Sequence, residues 1–307
     1  MQEDERAVRA ARSRLSPAAK DLLAGAGAGA VGVLAGQPLD VVRVRLQQPH
    51  SRMPGALASL QSLVRAEGPG ALFKGSFYPL TTIALQNAVA FHAYGVACRH
   101  FAGGPDPTTP LTYPEVYAAG AFAGLVQCAV STPVDLLKIR QQLQRVAAGA
   151  PGYVGPLRLL RDTWRCEGLA GLYRGLGVTT IRDTPSYGIY FCLYEHSKDV
   201  LEPGSRQHGC HNPLTLFVAG GVAGVLSWAS VYPFDVVKSR MQASRYGAVY
   251  KGWLHCAAKT VREEGRGALF RGMAPTLGRA AVVNAALFPT YEALMWVMRG
   301  HDPADVH

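Results

Sequence analysis

Gln37-Pro38-Leu39-Asp40-Val41-Val42-Arg43, with Gln47 four residues further on, is the stretch on which the fold turns. The pattern returns as Thr132-Pro133-Val134-Asp135-Leu136-Leu137-Lys138 with Gln142, and as Tyr232-Pro233-Phe234-Asp235-Val236-Val237-Lys238 with Gln242. The prolines stand 95 and 100 residues apart. Downstream of each copy a second pattern recurs: Glu67-Gly68 with Phe73-Lys74-Gly75, Glu167-Gly168 with Tyr173-Arg174-Gly175, and Glu264-Gly265 with Phe270-Arg271-Gly272. Two ungapped motifs that return three times in the same order do not arise by chance. The chain reads as a triplicated unit, with repeats expected over 18–110, 111–208 and 209–300.

Between the motifs the charges thin out. Of 307 residues 49% are hydrophobic and only 17% charged, against roughly 25% in average soluble chains. Six windows, 22–39, 76–98, 116–134, 175–194, 214–234 and 272–291, are almost free of charge. Each has about the 20 residues a helix needs to cross a hydrocarbon core. Most are rich in Gly, Ala, Ser and Thr, and the glycines at 25, 27, 29, 120, 124, 220 and 224 suit close helix packing in lipid. Of the 31 basic residues, 20 fall in 43–74, 138–174 and 238–271, which alternate with the windows and so share one side of a six-span bundle. That bias places these segments on the inner side and both termini outside.

Other classes fall away. The formal charge of +10 suggests a nucleic-acid binder, but the basic residues follow the repeat and sit at helix ends rather than on one continuous face. No P-loop, Gly-x-Ser-x-Gly or dinucleotide fingerprint appears, and no metal-ligand cluster. The six cysteines, at 98, 128, 166, 192, 210 and 256, form no Cys-x-x-Cys pair and read as reduced thiols. Residues 1–20 are rich in arginine, but Glu3, Asp4 and Glu5 spoil a transit-peptide pattern.

Each signature proline is expected to end or kink its helix near the inner surface. Asp40, Asp135 and Asp235 then lie beside the axis with Arg43, Lys138 and Lys238. Six unpaired charges at that depth would be costly, so each acid is expected to pair the base of a neighbouring repeat in a ring closing the inner end.

The triplicated Pro-x-Asp-x-x-[Lys/Arg] signature resembles that of the mitochondrial carrier family over residues 18–298. The resemblance implies an all-α membrane protein of the inner mitochondrial membrane, not an enzyme, with six transmembrane helices in three tandem pseudo-symmetric repeats. Short amphipathic helices lie on the matrix side, and substrate binds mid-membrane during alternating access. It implies a monomer with no cofactor, and that Gln47, Gln142 and Gln242 brace the matrix gate formed by the ring. The family's outer-gate pattern is complete only at Tyr194-Glu195-x-x-Lys198; Tyr291-Glu292 is followed by Met295 where a base belongs, which leaves at most a Lys198–Glu292 bridge. That implies a low barrier to outward opening and transport without strict counter-exchange. Gly75, Gly155, Gly175, Gly252 and Gly272, with their basic and tyrosine neighbours, resemble the family's cardiolipin sites; the tyrosine of the first repeat is replaced by Met53. Simple interfacial anchoring is the plainer reading of the same residues.

Selectivity requires broken symmetry. Counting seven residues past Gly75, Gly175 and Gly272 gives Thr82, Arg182 and Arg279; the next positions are Ile83, Asp183 and Ala280. Eleven and twelve past lie Gln86 and Asn87, Ser186 and Tyr187, and Val283 and Asn284. Arg182, Asp183 and Arg279 are the only formal charges in the middle of a span, and ionisable groups there are functional candidates. A structural Arg–Asp pair between helices is the plain alternative. Two arginines against one aspartate favour a solute with both a carboxylate and a positive group, and disfavour nucleotides and dicarboxylates. These positions resemble the family's substrate contact points, and Thr82, Gln86, Asn87, Arg182, Asp183, Tyr187, Arg279 and Asn284 are the expected binding residues. Together with Ser227-Trp228 and Gln86-Asn87-Ala88, they look most like the basic amino acid branch. The expected substrate is arginine, ornithine, lysine or a relative. A carnitine-like or methylated cation, which brings a single positive group for the single acid, remains the alternative, and a proton-leak uncoupler is a rival within the same fold.

Overall fold

The computed structural model describes residues 17–49, 51, 55–103, 111–147, 150–203, 213–244 and 249–299. Within the helices, the side chains of residues 17–23, 213, 214, 216, 217, 284, 288 and 299 fall outside the described set, as do Met53, Cys210 and the first sixteen residues altogether. Six long helices run as α1 (Pro17–Gln47), α3 (Phe77–Phe101), α4 (Tyr113–Gln142), α6 (Leu176–Leu201), α7 (Pro213–Ala243) and α9 (Met273–Arg299). Three shorter ones, α2 (Ala56–Glu67), α5 (Pro156–Leu172) and α8 (Trp253–Glu264), join the members of each pair. Long helices of 25–31 residues span about 40–45 Å, enough for a bilayer. By hydropathy alone only Tyr113–Gln142 and Arg266–Met298 register as spans among the described residues. The small polar residues that let the other helices pack also dilute their apolar character.

The repeat is built into the backbone. In each unit a glycine with positive φ ends the short helix, or in α5 breaks it before its last turn: Gly68 (80°), Gly168 (63°) and Gly265 (81°). A tight turn follows, and a second such glycine launches the next long helix: Gly75 (80°), Gly175 (84°) and Gly272 (85°). Left-handed backbone strains any residue with a Cβ, which is why glycine stands there three times over. Each short helix packs onto the inner end of its long partner. Leu63 covers Val41 and Val42, Leu172 covers Leu136 and Leu137, and Cys256 covers Val237 and Met241.

The signature prolines do not end their helices. α1, α4 and α7 run on through Pro38, Pro133 and Pro233 by more than two turns. A mid-helix proline orphans the carbonyl four residues back. In α4 that carbonyl belongs to Ala129, and the Tyr173 hydroxyl donates to it at 2.9 Å.

The packing glycines also divide. A Cβ on Gly124 would lie 2.7 Å from the Asp183 carbonyl oxygen, and one on Gly120 2.8 Å from that of Tyr187. α4 and α6 therefore meet backbone to backbone, whereas α1 touches α3, and α7 touches α9, far less. Gly25 and Gly224 meet nothing within 4 Å. Gly220, Gly221 and Gly224 line the internal cavity instead of a helix seam. Outward, Phe122, Leu125, Val126, Val222 and Leu226 are exposed on an apolar face suited to lipid.

Candidate functional site

At the inner end the three long odd-numbered helices of the sequence reading, α1, α4 and α7, bring all six signature charges together. Lys138 of α4 reaches Asp40 of α1 at 2.5 Å, Lys238 of α7 reaches Asp135 of α4 at 2.5 Å, and Arg43 of α1 closes the circle on Asp235 of α7. These three pairs cross between repeats, and Arg43 also donates to Asp40 of its own helix at 3.4 Å. Gln47 donates to Asp235 at 2.9 Å and Gln142 to Asp40 at 3.1 Å. Gln242 breaks the pattern: its amide donates to the Thr132 carbonyl at 3.4 Å, not to an acid of the ring. Correspondingly the Asp135 side chain is 30% exposed, against 6% for Asp40 and 3% for Asp235.

A second ring, absent from the sequence reading, lies one step further inward. Arg45, Arg140 and Arg240 pair Glu67, Glu167 and Glu264 at 2.5, 2.8 and 2.5 Å. Each arginine also donates to a backbone carbonyl at the end of the next repeat's helix: Gln142, Gln242 and Gln47 respectively, at 3.0, 3.4 and 2.8 Å. These carbonyls have no intrahelical donor, so the guanidinium groups act as caps that tie neighbouring repeats. Burial alone would raise the Glu67 carboxyl, but hydrogen bonds from Arg45 and Lys74 hold it below the usual carboxylate range.

The basic residues beside the turn glycines are also committed to protein. Lys74 is buried and donates to the Gln144 carbonyl at 2.7 Å; Arg174 is buried and donates to that of Met241 at 3.1 Å. This corrects the reading of these two as lipid-facing cations; the third, Arg271, pairs Glu264 but keeps a partly exposed side chain. Gly75, Gly175 and Gly272 abut Gln142, Gln242 and Gln47 of the next repeat, while Gly155 and Gly252 cap the starts of α5 and α8.

Above the first ring a cavity of about 860 Å³ opens. Among its lining charges, Arg43, Lys138, Arg182, Lys238 and Arg279 face Asp40, Asp135, Asp183 and Asp235; five against four leaves +1. Arg182 spans two carboxylates, Asp183 at 2.5 Å and the ring acid Asp235 at 2.8 Å, and lies over the Trp228 ring with Arg43 on the same ring. Asp183 therefore already shares one oxygen with Arg182, the Arg–Asp pair that the sequence reading kept as its alternative, here between neighbours on α6. Arg279 is held more loosely, 3.9 Å from Asp40, and its buried Nε has no hydrogen-bond partner among the described residues. Gln86, Asn87 and Tyr187 line the cavity. Thr82 does not: its hydroxyl donates to the Tyr78 carbonyl at 2.7 Å and accepts from Gln86, which covers it. The side chain of Asn284 lies outside the described residues. The sequence reading missed Gln127 and Ser131 of α4 and the aromatic wall of Tyr190, Phe191 and Trp228, all cavity-lining.

At the outer end the expected Lys198–Glu292 bridge is not formed. Lys198 pairs Glu195 one turn back at 2.8 Å and lies over the Tyr194 ring, while Glu292 is exposed. Tyr194 stacks on Tyr190 down the cavity wall, and Tyr291 sits at the corresponding level of α9.

Comparison with known proteins agrees with this architecture. The family described as "Mitochondrial carrier protein" matches residues 15–104, 109–205 and 210–302. The "Mitochondrial arginine transporter BAC2" of Arabidopsis thaliana is 40% identical over 285 residues, 93% of each chain. The human "Mitochondrial basic amino acids transporter" is 40% identical over 92% of each chain. "Solute carrier family 25 member 48" of Homo sapiens is 36% identical over 92% of this chain and 96% of its own. With three repeats, six long helices around one cavity and a family match along nearly its whole length, the chain belongs to the mitochondrial carrier family, whose members are multi-pass transporters of the inner mitochondrial membrane and not enzymes.

Proposed function

We propose that the chain transports basic amino acids (arginine, ornithine, lysine and relatives) by alternating access. The observation that carries this reading is the mid-cavity trio of Arg182, Asp183 and Arg279, which offers both signs of charge to a zwitterion. Arg279, with an unused buried N–H, takes the carboxylate in the bidentate manner guanidinium favours. Asp183 takes the α-ammonium while still touching Arg182. Kinship with transporters named for arginine and for basic amino acids supports the same substrate class.

Binding then loosens the inner gate. Both mid-cavity arginines lean on acids of the first ring, Arg182 on Asp235 and Arg279 on Asp40. A carboxylate that draws these arginines upward withdraws attraction from the ring, and only interactions that differ between states can shift the equilibrium between them. With Met295 where a base belongs, the outer end has at most one bridge to form when it closes, so it supplies little resistance and uptake does not demand strict counter-exchange. One chain holds the whole ring and cavity, which supports a monomer as the working unit. Cardiolipin contact is assigned to the backbone at Gly75, Gly175 and Gly272 and to the helix starts at Gly155 and Gly252, since Lys74 and Arg174 are occupied.

A second reading has its own support. Tyr187, Tyr190 and Phe191 line the cavity, and aromatic faces suit a quaternary ammonium such as carnitine. Uptake of labelled arginine, carnitine, ATP and malate into proteoliposomes separates these readings; arginine uptake above the other three is expected, and carnitine in first place would favour the second.

A further inference from the structure

The ring and the cavity share one asymmetry. The position seven residues past the turn glycine carries an arginine in repeats two and three, and each arginine reaches the ring acid of the following repeat: Arg182 reaches Asp235 and Arg279 reaches Asp40. By the same rule, residue 82 of repeat one should serve Asp135. That residue is threonine, its hydroxyl turned to the backbone of its own helix. Among the described residues Asp135 makes one direct ion pair, to Lys238, is unbraced by Gln242 and is 30% exposed where it lines the cavity. One and two turns above it on α4 stand Ser131 and Gln127, on the same face at four-residue spacing and lining the cavity with it. Both are more than nine-tenths buried, and Ser131 Oγ and Gln127 Oε1 have no hydrogen-bond partner among the described residues. Two orphaned polar oxygens above the most exposed carboxylate of the ring are costly unless something pairs with them.

We infer that Asp135, Ser131 and Gln127 form a subsite for the second positive group of the substrate, the side-chain guanidinium or ammonium. The inference rests on the basic amino acid reading above. The substrate's own cation stands in for the arginine that repeat one lacks: it accepts no hydrogen bonds and donates several, and the Asp135 carboxylate, the Ser131 hydroxyl oxygen and the Gln127 amide oxygen can each accept one. The site resolves the charge deficit of the mid-cavity trio, which has one acid for two positive groups. It also makes the cation a competitor of Lys238 for Asp135, so a dicationic substrate loosens all three bridges of the ring and a monocationic one loosens two.

The test compares arginine with citrulline, which has nearly the same length and shape but an uncharged side-chain end, in proteoliposome uptake. Wild-type protein is expected to prefer arginine in kcat/KM. Thr82→Arg supplies the missing base, and Gln127→Leu combined with Ser131→Ala removes the acceptors. Each is expected to cut the preference for arginine about tenfold, the scale of a charge-assisted hydrogen bond. If Thr82→Arg fails to fold, the double variant carries the test, with thermal unfolding in detergent confirming its integrity. Wild type that carries arginine while both folded variants keep its preference overturns this subsite and leaves the proposed function standing. Wild type that carries no basic amino acid overturns both.

Discussion

At the scale of single residues the account separates side chains that look equivalent in sequence. Gln47, Gln142 and Gln242 occupy one motif position, yet only the first two reach a ring acid. Gln47→Ala should therefore cost about 1.5–3 kcal/mol, the value of a hydrogen bond to a charged group, while Gln242→Ala costs about 1 kcal/mol or less; thermal unfolding of the purified protein measures both. Thiols divide in the same way. Burial pushes the Cys256 thiol up to about 11, so near neutral pH it stays protonated, and it is fully enclosed, whereas Cys166 is exposed. Because the thiolate is the reactive form, maleimide at pH 7 should label Cys166 and spare Cys256 until the fold opens. The ring acids and bases were legible because three copies imposed one partner rule. Arg45, Arg140 and Arg240 recur just as regularly, but their partners lie some twenty residues away and on the next repeat, distances that periodicity does not encode. Gln127 and Ser131 escaped because asymmetry was sought only on the even-numbered spans.

At the scale of elements, the seam between α4 and α6 is the tightest joint. Gly124→Ala places a methyl 2.7 Å from a backbone oxygen that cannot rotate away, and an overpacked contact of this kind costs about 1–3 kcal/mol. Gly25→Ala meets open space and should leave the unfolding temperature unchanged or slightly higher. The second ring adds a pH dependence. Glu67 has a lowered pKa in the fold, so it stabilises the protein above the unfolded carboxylate pKa of about 4.3 and that contribution fades as pH falls through the folded value. Glu67→Gln should lower stability at neutral pH and flatten the loss on acidification, as followed by unfolding at a series of pH values. Helix positions were readable from charge-free windows. Their continuation through Pro38, Pro133 and Pro233 was not, because partners such as Tyr173 come from elsewhere in the chain and replace the lost bond.

At the scale of the whole molecule, threefold likeness and its exceptions divide the work. Shared features close the inner end with two stacked rings, whereas the outer-gate pattern is broken by Met295 where a base belongs. Uptake into proteoliposomes empty of substrate should therefore retain a substantial part of the rate seen with internal substrate; a complete requirement for internal substrate would show that some other contact holds the outer end. In the proposed function the exceptions, Thr82 against Arg182 and Arg279, and Asp183 against Ile83 and Ala280, select the cargo. The most direct test of that claim is labelled arginine uptake by wild-type, Asp183→Asn and Arg279→Ala proteins of equal thermal stability. Uptake by wild type that falls to background in both variants is the expected result; arginine uptake that survives either substitution unchanged would contradict the account.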